Sequence, residues 1–96
     1  MVNESPWVVL AERLGYRIAE GIYVRSRLRY AMPIDHEETH SMLVGETLRV
    51  AWAWAVEHGK TQEYIMAVDM VTQSNPKFLA EHCLRLLDAV NYELSS

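Results

Sequence analysis

Apolar positions recur at helical spacing along most of this chain, and in one short stretch the period becomes ambiguous. Ser5 followed by Pro6 is a strong helix start: a hydroxyl that can cap free amides, then a residue whose φ is already helical. Trp7, Ala11, Leu14, Ile18 and Ile22 then fall within one apolar stripe at helical spacing. Beyond Gly21 two periods compete. A continued helix would carry Arg25 and Arg29 onto the apolar stripe. A strand would face Ile22, Val24, Ser26, Leu28 and Tyr30 one way and Tyr23, Arg25, Arg27 and Arg29 the other. A lone strand has nothing to pair with inside the chain. Helix is therefore the expectation, and a single strand at 22–30, paired with another chain, is the alternative.

The next segment is the clearest. Asp35 can cap a helix with Glu38 three residues on, in a capping-box arrangement, and Gly59 is the expected terminator. Between them His40, Leu43, Val44, Thr47, Leu48, Val50, Ala51, Trp54 and Ala55 make one wide apolar face. Trp52 and Val56 extend that face, leaving a narrow polar strip with Glu38, Glu46, Arg49 and Glu57. A helix apolar over most of its circumference is surrounded by others. A third segment runs from Thr61 to about Gln73, with Tyr64, Ile65, Val68 and Val71 inward and Met66 and Met70 on its flank. The fourth opens at Ser74 or Asn75 with Pro76 in its first turn. Its stripe is Leu79, Cys83, Leu86, Leu87, Val90 and Leu94. Short connections between helices imply antiparallel neighbours. The fold expected is all-α: one domain over 1–96, a compact bundle of about four helices with a long central helix over residues 35–58.

Composition narrows the class further. The chain has 96 residues, half of them hydrophobic, with few Pro or Gly, which suits one packed core and excludes a disordered tail. No apolar run approaches the ~20 residues of a membrane span, and the N-terminus carries no basic-then-apolar export signal. Cys83 is alone, as in a reducing compartment. A cytoplasmic location is expected. Net charge is −4, divided as +2 over residues 1–32 and −6 over the remainder. The positive charge of the first third is all Arg, the side chain suited to forked pairing with carboxylate or phosphate.

Catalytic chemistry finds little footing. His36-Glu37-Glu38-Thr39-His40 resembles the H-E-x-x-H signature of zinc peptidases, where two His one turn apart hold the metal and the Glu activates water. That resemblance implies a small zinc-dependent hydrolase. The charged Glu38 and the missing third ligand depart from it. Glu37-x-x-His40 resembles half of a di-iron carboxylate site, but no second such motif occurs, nor does the E-x-x-E of all-α nucleotide pyrophosphohydrolases. Cys83 lies on a buried stripe, and the four Gly are isolated, so no phosphate loop is present.

Recognition residues are better represented. Arg25, Arg27 and Arg29 interleave with Tyr23 and Tyr30. On a two-chain strand pair this run would resemble a ribbon-helix-helix repressor, implying a DNA-binding dimer that uses an Arg-rich ribbon over 22–30. The negative net charge opposes nucleic acid as a partner. The favoured expectation is a non-enzymatic protein-binding module, accessory or inhibitory, acting through a helical-bundle surface as a homodimer. It needs no cofactor and no metal. Arg25, Arg27, Arg29, Trp52, Met66 and Met70 are its candidate contact residues. Trp52 and Trp54 lie about 200° apart round one helix, so a single neighbour cannot cover both.

Overall fold

A computed structural model describes residues 5–19, 22–25, 30–33, 36–73 and 75–93. Four helices form a bundle: α1 (Pro6–Arg13), α2 (Glu37–His58), α3 (Thr61–Thr72) and α4 (Leu79–Ala89). A 3-10 turn, Pro76–Phe78, leads into α4. Between α1 and α2 lie three short strands, β1 (Arg17–Ala19), β2 (Ile22–Arg25) and β3 (Tyr30–Pro33). They form an antiparallel sheet in the order β1-β2-β3, with β1 beside α1.

The bundle is as the periodicity requires, but Ile22–Arg25 is a strand rather than helix and Tyr30 belongs to the next strand, with residues 26–29 outside those described. Two physical features explain the difference. Gly15 takes φ +97, and the amides of Gly15 and Tyr16 bond to the carbonyls of Glu12 and Ala11. This is the hydrogen-bond pattern of a Schellman stop, which only a residue tolerant of left-handed φ supplies cheaply. The helix therefore ends at Leu14, before Ile18 and Ile22 can extend its stripe. β1 and β2 are then separated by Glu20 and Gly21 alone, the length of a glycine-containing hairpin connection. Pairing stays within the chain: Arg17 with Val24, Ile18 with Tyr23, then Tyr23 with Met32 and Arg25 with Tyr30. Pro33 is the last residue of β3, an edge strand, the place in a sheet where proline is tolerated.

α2 is capped by His36, not Asp35, which lies outside the described residues. The His36 Nδ1 accepts a hydrogen bond from the Glu38 amide at 3.2 Å. At the other end Gly59 takes φ +68, and the Lys60 amide reaches back to the Ala55 carbonyl, as expected of the terminator. α4 ends on Asn91 at φ +57, with the Tyr92 amide bonded to Leu87 O.

The core draws on all four helices. Leu10, Ala11 and Leu14 meet Leu43, Ala51 and Ala55 of α2, Ala67 and Val71 of α3, and Cys83, Leu86, Leu87 and Val90 of α4. Both α2 and α4 pack against each of the other helices. Small residues at 51, 55 and 67 let the axes approach, and the Leu side chains fill the space between them. Two positions differ from the pattern: Ile65, expected inward, is 53% exposed, and Glu46, expected on the polar strip, is 5% exposed.

Candidate interaction surface

Two kinds of polar feature in this bundle could carry function: buried groups and exposed ones. The buried Glu46 carboxylate accepts a 2.6 Å hydrogen bond from the Tyr16 hydroxyl, itself buried. This contact fixes the end of α1 to the middle of α2, which is a structural task. Cys83 sits in the core, where burial pushes its thiol up to about 11, an effect partly offset by a side-chain hydrogen bond with Thr47. At neutral pH it is a thiol and a poor nucleophile. Burial likewise raises Tyr64, whose hydroxyl donates to Leu48 O.

The two histidines of the H-E-x-x-H string have separate employment. His36 is the N-cap of α2, and its Nδ1 is taken up by the Glu38 amide. His40 lies flat against Trp7, ring centroids 4.2 Å apart and planes within 4°. Among the described residues, no three His, Cys, Asp or Glu side chains converge as a metal site would require.

The Arg run is only partly within the described residues. Arg25 ends β2, in register with Tyr30, while Arg27 and Arg29 lie outside the described residues. β2 is the middle strand of its sheet, with both edges filled by β1 and β3. It therefore has no free edge to pair with the same strand of another chain, as the ribbon-helix-helix arrangement needs.

The exposed apolar side chains are more concentrated. Trp52 is 45% exposed on the outer side of α2, with Val56 one turn further on. Trp52 leans on Tyr64 of α3, ring centroids 5.2 Å apart, and Ile65 stands beside Tyr64 in sequence. Trp52 and Val56, one turn apart on α2, so share one exposed face, and Ile65 is exposed on α3. Trp54, two residues from Trp52, turns inward: it stacks on His58 at 3.9 Å and meets the edge of Tyr92 at 5.6 Å. The split between the two Trp follows from their angular separation. Met66 is 72% exposed on α3, and Met70 is exposed one turn later. Val56, at the far side of the apolar face, is the contact candidate that sequence reasoning missed. Its signal was the surplus of apolar positions round α2.

No family model, curated protein or solved structure matches the chain. No helix among the described residues is long and apolar enough to cross a membrane.

Proposed function

We propose that this chain is a non-enzymatic protein-binding module of the cytoplasm, accessory or inhibitory to a larger assembly. It self-associates and makes its contacts through the outer surface of the α2–α3 hairpin. The observation that carries this reading is the exposure of Trp52 and Val56, one turn apart on α2, on a domain whose core is filled without them. Trp is the residue type most enriched among energetic anchors of interfaces, and Tyr64 holds this one in place before any partner arrives. The buried, protonated Cys83 suits a reducing compartment.

Capture from the source cell tests the reading when wild type is compared with two variants. Proteins held by the wild type should be lost with Trp52→Ser. They should be retained with Phe78→Ser, which removes an exposed aromatic far along the chain from this surface. Equal loss in both variants, or in neither, contradicts the assignment of the surface.

A further inference from the structure

The outer side of α2 carries a second regularity. Glu38, Met42, Gly45, Arg49, Trp52, Val56 and Gly59 follow one another at alternating spacings of four and three residues, and all are exposed. That is the seam of two-helix packing, in which side chains of one helix insert between those of a facing helix. The seam contains both a knob and a notch. Trp52 projects from it, braced by Tyr64. Gly45 lies seven residues earlier on the same face, and a Cβ built there meets nothing within 4 Å. The bundle itself thus has no steric need for glycine at a mid-helix position where glycine weakens the helix.

Resting on the proposed surface, we infer that its occupant is a second copy of this chain, with the two α2 helices antiparallel across a two-fold axis. A two-fold contact must be self-complementary: what residue i touches, residue j touches in return. Antiparallel pairing with Trp52 of each chain in the Gly45 notch of the other meets that condition. The axis then passes between Leu48 and Arg49. The same arrangement sets Glu38, at the start of one α2, near Lys60 at the end of the other, so opposite charges meet and the helix dipoles oppose. Arg49 is the charged residue in the middle of the seam, where a polar side chain fixes register at some loss of affinity. Met42, Trp52 and Val56 give the seam exposed apolar side chains. A patch on one helix is smaller than a standard interface, which buries about 800 Å² per partner, so a weak dimer, in the micromolar range, is expected.

Sedimentation equilibrium on wild type, Trp52→Ala and Gly45→Leu tests the inference. Wild type should dimerise in the micromolar range, and each substitution should raise the dissociation constant at least tenfold. Gly45→Leu carries the discrimination. Leu is a better helix former than Gly, and the space at its Cβ is open. Melting of this variant at submicromolar concentration should therefore be no lower than wild type, even as its dimer weakens. A wild type that stays monomeric at several hundred micromolar overturns the inference. If Trp52-dependent capture of a foreign protein persists alongside that result, the surface reading stands and only the second copy falls. A dimer weakened by Trp52→Ala but untouched by Gly45→Leu overturns the antiparallel α2 pairing.

Discussion

Leu86→Ala is expected to lower folding stability by about 3 kcal/mol, within the usual range for a buried Leu truncated to Ala. Leu86 is fully buried on α4, the helix that packs against α1, α2 and α3. Neighbours drawn from three other helices cannot all move in to fill the space, so the residual cavity stays large. A domain of this size holds only about 5–15 kcal/mol in total, and the variant should unfold at clearly lower urea with an unchanged slope. Met66→Ala, at a 72% exposed position, should shift the midpoint little. A loss under 1 kcal/mol for Leu86→Ala would show that α4 is not the packed element described.

The second large effect is polar. Tyr16→Phe should destabilise by about 2 kcal/mol, because it removes the hydroxyl that donates to Glu46 while leaving that carboxyl group buried. Glu46→Gln retains an oxygen to accept the bond, and should cost less. Urea unfolding of both variants at neutral pH reads the difference. If Glu46→Gln proved the more damaging, the Tyr16 bond would not be the contact that justifies burying this carboxylate.

That contact also shows why part of the fold was hidden in the sequence. Glu46 sits at a helical angle shared with other charged residues, and periodicity alone assigns it to water. Its burial depends on Tyr16, thirty residues away, reaching across after the chain has turned. The same turn was the other obscure point. Pro6, Gly59 and Pro76 mark their elements through local geometry and were legible. Gly15 was equally local, yet the stripe Trp7–Ala11–Leu14–Ile18 runs across it without a break. The left-handed stop prevails because helix termination depends on one residue's φ, whereas the stripe beyond it is worth something only if packed. Once α1 stops, 17–33 has room for three strands, and the pairing a lone strand lacked is supplied from within.

The candidate surface was half legible for a related reason. Trp52 stood out because two Trp on opposite sides of one helix cannot both be covered. Val56 and Ile65 have the same hydropathy as core residues, and only the packing of α2 on α3 shows them outside. Met66 and Met70 were visible as a flank of α3, and both are exposed.

The central claim is that Trp52, and not Trp7 or Trp54, is the aromatic reserved for contact. Fluorine NMR on chain labelled with 5-fluorotryptophan tests it without altering the sequence. On concentration from a few micromolar upward, or on addition of a captured partner, the Trp52 resonance should move while those of Trp7 and Trp54, held by His40 and by His58 and Tyr92, stay in place. A stationary Trp52 signal, with Trp7 or Trp54 moving instead, would contradict the account.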